Sequence, residues 1–332
     1  MRQITVIRPG ALGDTLLTLP AIAVLRRWTP SARLTLIARA DILSLALASG
    51  LADDAWPWDL PDWSALFAPD VTAEELTARA RAALVGADVV IAWAPDRDGA
   101  LAATLHRLGA GRVIVAPAQP SEAPGALPEH AAHWLARALT PLGVTPPRDL
   151  PALWQAMPPL RWPEPDARAA GRAWRALGLP DAGVIALHPG SGGAAKRWPP
   201  ERFAALADRA RQASLTPLLL AGEADEAAAA AVLAHAAAPP PIARDLSVGA
   251  LAALLARCAG YVGNDSGVSH LAGLLGVPTV AVFGPSDPAR WSPLGPRVTT
   301  LRAPSGDLRQ LAPDAVWQAL RASGGRLSDV TS

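Results

Sequence analysis

Residues 184–207 read VIALHPGSGGAAKRWPPERFAALA. An apolar, β-branched run (184–188) stops at Pro189 and Gly190, a glycine-containing turn follows, and helical spacing of apolar residues begins at Pro200. Strand, glycine turn and helix in that order open a βα unit. Residues 4–25, ITVIRPGALGDTLLTLPAIAVL, open the N-terminal half with the same device. Two halves that begin alike predict two similar doubly wound α/β domains, each built on a parallel sheet.

Working outward, apolar runs alternate with segments of helical period. In the first half, strands are predicted at 4–8, 34–38, 88–93 and 112–116, with helices at 14–28, 40–48, 73–85, 99–108 and 129–142. The proline-rich stretch VTPPRDLPALWQAMPPLRWPEP (residues 144–165) interrupts all periodicity and reads as a linker. Strands then return at 184–188, 217–221, 261–263 and 279–283, with helices at 200–213, 224–236, 248–258 and 267–275. The expected domains are 1–155 and 156–311, with a terminal helix at about 312–324 folding back on the first. In open α/β sheets, ligands bind beyond the carboxyl ends of the strands, so the strand-to-helix loops are expected to converge on a cleft between the domains.

Composition agrees with this size. The 332 residues suffice for two domains with cores of their own. With 18% charged and 51% hydrophobic residues, the chain is far from the profile of disorder. Thirty basic against 29 acidic residues leave a net charge of +1, and no long run of one sign exists to neutralise a polyanion; nucleic acid is not an expected partner. Arg2, Gln3 and Arg8 break up any leader-like apolar region, and the apolar helices fall short of the roughly 20 residues needed to cross a bilayer. The expected location is therefore the cytoplasm, with peripheral membrane contact left open. Cys258 is the single cysteine, which excludes an internal disulfide and a thiolate metal site. Lys196 is the only lysine; all other basic residues are arginine. A lysine that persists in such a composition draws attention to its compact ammonium.

Several loops can carry chemistry. In HPGSGGAAKRWP (residues 188–199), glycines permit close backbone approach, amides can point at an anion and Lys196 adds a full charge, which makes an expected phosphate site. It lacks the GK[ST] ending of a P-loop, which disfavours a Walker-type NTPase. In NDSGVSHLAG (residues 264–273), Asp265 and Ser266 are expected to cap a helix whose first amides face a second part of an oligophosphate, with His270 one turn in. In LLLAGEADE (residues 218–226), Glu223 sits where a ribose or base could donate to it. In PGALGD (residues 9–14), Asp14 is either a helix N-cap or a general base. Glu129, His130 and His133 lack a third well-spaced metal ligand, and Asp96 and Asp98 read as a solvated turn, so no metal site is expected. Trp198 and Trp291 flank the phosphate loops and are the tryptophans to test as sugar platforms.

Taken together and in this order, RPGALGDTLLTLPAI, HPGSGGAAKRWPPERFAALA, LAGEADE and VGNDSGVSHLAGLLGVPTVAVFGPSDP resemble the heptosyltransferases of glycosyltransferase family 9 over roughly residues 3–290. The resemblance implies a GT-B fold, two Rossmann-like domains with the acceptor on the first and ADP-heptose on the second. It also implies an inverting transfer that needs no metal or cofactor, the nucleotide sugar being a substrate. By the same resemblance Asp14 is the catalytic aspartate and Lys196 the lysine that holds the donor phosphates. Ser191 and Gly192 belong to that loop, Glu223 to the ribose and adenine, and Asp265, Ser266, Gly267 and His270 to the second donor turn. The implied acceptor is a glycolipid or saccharide of lipopolysaccharide-core type, met at the cytoplasmic face of the inner membrane. The first domain has no lysine, so an anionic acceptor would have to be gripped by arginines such as Arg8, Arg39 or Arg97.

The rival readings are a non-catalytic nucleotide-sugar binding protein, a nucleotide-sugar epimerase on the same fold, and an NAD(P)-dependent oxidoreductase. The last needs G-x-G-x-x-G after the first strand, where this chain has G-x-x-G.

Overall fold

The computed structural model describes residues 1–67, 71–120 and 128–324. The chain divides into two compact units, Met1–Arg161 and Trp162–Ser332. In the first, strands β1 (Gln3–Arg8), β2 (Arg33–Ala38), β3 (Asp54–Pro57), β4 (Val89–Trp93) and β5 (Arg112–Ala116) form one sheet in the order β3-β2-β1-β4-β5. Every pairing is parallel. A parallel sheet is covered on both faces, so its central strands read as unbroken apolar runs; VVIAW of β4 is buried at every residue. The helix Leu12–Trp28 is buried from Thr15 through Leu25.

The second unit repeats the plan. Its strands are β6 (Val184–His188), β7 (Thr216–Ala221), β8 (Ile242–Arg244), β9 (Gly260–Asn264), β10 (Thr279–Phe283) and β11 (Val298–Arg302). They lie in the order β11-β10-β9-β6-β7-β8, again all parallel. Ile185 and Leu187 of β6 meet Phe203 and Leu206 from the helix Pro200–Gln212 and Val316, Trp317 and Leu320 from the helix Pro313–Ala322 in one core.

The two doubly wound sheets are as the sequence predicts, with three corrections of detail. The terminal helix Pro313–Ala322 does not belong to the first unit: its apolar face enters the second unit's core, and Asp314 pairs with Arg209 at 2.9 Å. The proline-rich linker is not featureless. It contains the helix Leu150–Gln155, whose start Asp149 caps by accepting the Ala152 amide at 2.7 Å, and it runs directly into the helix Glu164–Ala176. Three strands have no counterpart in the sequence reading: β3, β8 and β11, all of them sheet edges.

Candidate functional site

Strands β7, β6 and β9 are neighbours, and their carboxyl ends deliver the three loops of interest to one place in the second unit. Between β6 and β9, paired from Ile185 with Gly260 to His188 with Gly263, the chain order reverses direction across the sheet. Such a switch point opens a crevice between loops that leave the sheet on opposite faces.

The loop after β6 is tied across this point. Asn264, the fully buried last residue of β9, donates its amide to the carbonyl oxygens of Pro189 at 2.8 Å and Gly190 at 3.3 Å, and accepts the Trp198 amide at 2.9 Å. One side chain thus holds both ends of the glycine loop. Ser191 Oγ donates to the Asp265 carbonyl oxygen at 2.8 Å, and Lys196 Nζ donates to Asp265 Oδ2 at 2.8 Å. Lys196 is 42% exposed while the Asp265 side chain is 9% exposed, so the anchored partner is the carboxylate. An ammonium has three donors, and the bond to Asp265 uses one. Gly190 is required by close approach, since a Cβ there would lie 1.9 Å from Asp225 Oδ1. Gly192 is exposed, with open space where a Cβ would be.

Ser266 occupies the N-cap position of the helix Gly267–Leu274, but its side chain makes no capping hydrogen bond. This corrects the expected capping by Asp265 or Ser266. The Ser266 hydroxyl lies instead 3.3 Å from His188 Nδ1 and 3.4 Å from Ser269 Oγ. The first amides of that helix, with the positive end of its dipole, are left to an external acceptor. His188 Nε2 in turn lies 3.1 Å from Asp225 Oδ2, which also accepts the Gly222 amide at 3.2 Å. Burial alone would raise the Asp225 carboxyl, but the His188 hydrogen bond and charge and the Gly222 amide outweigh it and hold it below the ordinary range. Ser269 Oγ donates to the Asn264 carbonyl oxygen and meets the Tyr261 hydroxyl at 3.0 Å; complete burial pushes that phenol upward.

Glu223 begins the short turn Glu223–Asp225, is exposed and makes no hydrogen bond among the described residues, so its carboxylate is available to a ligand. His270 is buried at 5% exposure in the first turn of its helix.

In the first unit, Asp14 is the third residue of its helix rather than the N-cap, and its Oδ2 accepts the Ala11 amide at 3.1 Å. Its Oδ1 lies 3.5 Å from a terminal nitrogen of Arg8. Arg8 is 2% exposed, donates Nε to Thr18 Oγ1 at 2.9 Å and reaches the carbonyl oxygens of Pro9 and Trp93 at 3.0 and 3.5 Å. Burial lowers its pKa and the charge of Asp14 opposes that effect. Arg8 therefore braces Asp14, and the expectation that it grips an acceptor is corrected. Arg39 is exposed but paired with Asp41 at 2.7 Å; Arg97 is exposed.

Three further readings change. Trp198 is a core residue, 1% exposed, edge-on to Phe203 with ring centres 5.0 Å apart and donating Nε1 to the Leu311 carbonyl oxygen; it is not a sugar platform. Trp291 is half-buried at the end of the helix Pro288–Trp291. Asp96 accepts the Leu101 and Ala102 amides at 2.9 and 3.1 Å, capping the helix Ala100–Arg107 rather than lying in a solvated turn. Sequence reading also missed the structural parts played by Asn264, His188 and Asp225, because their partners come from distant strands. A polar residue closing an apolar strand was the available signal. Among the described residues no three His, Cys, Asp or Glu gather into a metal-holding group, and no helix is long and apolar enough to cross a membrane.

Comparisons with known proteins fit this geometry. Residues 158–314 match the family model described as glycosyltransferase family 9 (heptosyltransferase). A lipopolysaccharide heptosyltransferase 2 of Escherichia coli is 32% identical over 129 residues, 37% of either chain. The chain thus matches these curated relatives over little more than a third of their length. A glycosyl transferase family 9 structure from Veillonella parvula superposes with a TM-score of 0.80 at 22% identity, covering 99% of this chain and 98% of that one. An E. coli heptosyltransferase solved with ADP-2-deoxy-2-fluoro heptose gives a TM-score of 0.68 at 22% identity, covering 98% and 100%. The fold is GT-B, with two Rossmann-like domains. The family's sequence signature thus falls in the second unit, and the fold is similar to that of a glycosyltransferase family 9 structure.

Proposed function

We propose that the protein is an inverting, metal-independent glycosyltransferase that moves a heptose or related sugar from ADP-heptose to a hydroxyl of a lipopolysaccharide-core-type glycolipid. The observation that carries this reading is the meeting of Lys196, Ser191 and an uncapped helix start on Asp265 at the β6/β9 switch point. Those groups suit a diphosphate: the ammonium has two donors to spare, and the Gly267–Leu274 helix offers its first amides. Glu223 is suited to the ribose or adenine. The E. coli relative solved with an ADP-heptose analogue supports the choice of donor.

In the reaction, the acceptor oxygen attacks the anomeric carbon as the bond from that carbon to the β-phosphate oxygen breaks. The hydroxyl proton goes to Asp14 and the electron pair leaves with ADP. Attack opposite the leaving group inverts the anomeric centre. Lys196 and the helix amides stabilise the negative charge that grows on ADP. Asp14 is a carboxylate held in place by Arg8 and the Ala11 amide, as a general base must be. Because Lys196 and the helix amides supply positive charge where negative charge develops, the reaction is proposed to need no bound cation or other cofactor. A nucleotide-sugar donor and a lipid acceptor would suit work at the cytoplasmic face of the inner membrane.

The test is to incubate the full chain with ADP-heptose and a heptose-deficient core glycolipid in excess EDTA. ADP release matched by a heptose mass gain on the glycolipid is expected. Donor binding without transfer to any core acceptor would favour a non-catalytic binding protein, and activity abolished by EDTA and restored by a cation would overturn metal independence.

A further inference from the structure

The first unit contains a cavity of about 320 Å³ lined by Gly10, Arg39, Ala40, Asp41, Trp58 and Asp59. It sits beyond the carboxyl ends of β1, β2 and β3, at the lower end of the roughly 300–1,000 Å³ typical of small-ligand sites. Its wall adjoins the proposed base: a Cβ built on Gly10 would lie 3.2 Å from Asp14 Oδ2. The cavity is charged in a particular way. Among the described residues that line it the one cation, Arg39, is paired with Asp41 at 2.7 Å, while Asp59 is an exposed carboxylate, so acceptors of hydrogen bonds prevail over donors. Asp41 Oδ2 serves Arg39, whereas its Oδ1 is shut from solvent and accepts no hydrogen bond among the described residues. A buried acceptor without a donor is costly, and the broad terminal torsion of a carboxylate lets it turn toward one brought into the cavity. Trp58, half-buried and held edge-on by Phe67 at 6.1 Å, adds a flat apolar wall of the kind a sugar ring packs on.

We propose that this cavity is the subsite for the acceptor's receiving sugar, and that it selects a ring that donates hydrogen bonds and carries no negative charge. Asp41 and Asp59 take its hydroxyl or amino donors, Trp58 packs against its face, and the attacking hydroxyl lies on the Gly10 side, toward Asp14. Arg39, already paired, does not serve to attract a carboxylate or phosphate. This inference rests on the transferase reading and narrows its acceptor: whatever charge the rest of the glycolipid bears, the ring at Asp14 is an uncharged or amino sugar.

The experiment omits the donor, so that its failure and that of the transferase reading can be told apart. Ligand-observed NMR on the full chain compares a methyl heptoside or methyl mannoside, a glucosamine glycoside and a methyl glucuronide, with ADP binding measured separately by calorimetry. The neutral and amino glycosides are expected to bind, and the glucuronide roughly tenfold or more weakly. Trp58→Ala is expected to abolish the signal. Since that variant could disturb packing with Phe67, Asp41→Asn and Asp59→Asn are measured as well, and each is expected to narrow the gap between neutral and acidic probes while leaving ADP binding unchanged. Equal or tighter binding of the glucuronide, or neutral binding indifferent to all three substitutions, overturns the proposal; with ADP binding intact, either result would leave the transferase reading standing.

Discussion

The two units answer the same topological situation with different chemistry. Each sheet sets its first strand between its second and fourth, β2-β1-β4 and β7-β6-β9, so each has a switch point beside that first strand. Each first strand ends in an ionisable residue followed by Pro-Gly: Arg8 in the first unit, His188 in the second. Both side chains are buried, and both are paired with an aspartate, Arg8 with Asp14 and His188 with Asp225. There the likeness stops. In the first unit the buried cation holds a carboxylate that is 23% exposed, the one proposed as the base. In the second, the braced Asp225 packs under Gly190, and the charge offered outward comes from elsewhere, the half-exposed ammonium of Lys196. A buried brace and an outward-facing charge are different tasks: in the first unit one ion pair, Arg8 with Asp14, supplies both, while the second unit divides them between the His188–Asp225 pair and Lys196.

The strongest way to break this comparison is Asp14→Asn. The amide oxygen still accepts from Ala11, so the helix start survives while the proton acceptor is lost. Turnover is expected to fall on the order of 10²–10⁴-fold with ADP affinity unchanged by calorimetry. Unchanged turnover would reduce Asp14 to a helix-start residue. Lys196→Ala is expected to lower kcat on the order of 10²-fold or more, read as ADP release at saturating donor with the fold checked by circular dichroism. An active, folded Lys196→Ala protein would mean that the helix amides suffice for the diphosphate.

The parts of this scheme legible in the sequence are those carried by local signals. Central strands such as β4, β6 and β10 are buried on both faces, and their apolar runs stand out. The edge strands did not. Asp54–Pro57 reads DAWP and Ile242–Arg244 only IAR, and at Val298–Arg302 the run VTTLR is only partly buried and ends exposed. Lys196, Ser191 and Asp265 were legible because each sits in a loop directly after a strand, where α/β sheets bind ligands. Asn264, His188 and Asp225 act through partners brought near only by strand order, and no spacing rule announces that. Trp198 fails for a related reason: residue type names a large aromatic, but which side of the loop it faces is settled by the core it enters.

The brace itself can be broken from the other side. Arg8→Met removes the buried guanidinium and leaves Asp14 and the Thr18 hydroxyl without it. Removing one partner of a buried ion pair costs about 3–5 kcal/mol, and because Asp14 is partly exposed the expected loss lies near the lower figure. The urea midpoint reads it, and Arg8→Met combined with Asp14→Asn is expected to recover part of the loss. No loss in the single variant would show that Arg8 is not a brace.

The smallest expected effect concerns the second brace. His188 and the Gly222 amide hold the folded Asp225 carboxyl below its ordinary value, so the ionised form is favoured by folding. The stability this contributes is fully present above the unfolded carboxyl pKa of about 3.9 and is lost as pH falls through the lower folded value. Asp225→Asn is therefore expected to cost about 1–2 kcal/mol near neutrality and to flatten this part of the acid limb of the urea midpoint against pH. It is also expected to weaken ADP binding only modestly, because the residue acts through Gly190 and His188 rather than on the nucleotide. A loss of ADP binding as large as that of Lys196→Ala would instead make Asp225 part of the donor site, and the division of labour between brace and charge would not hold in the second unit either.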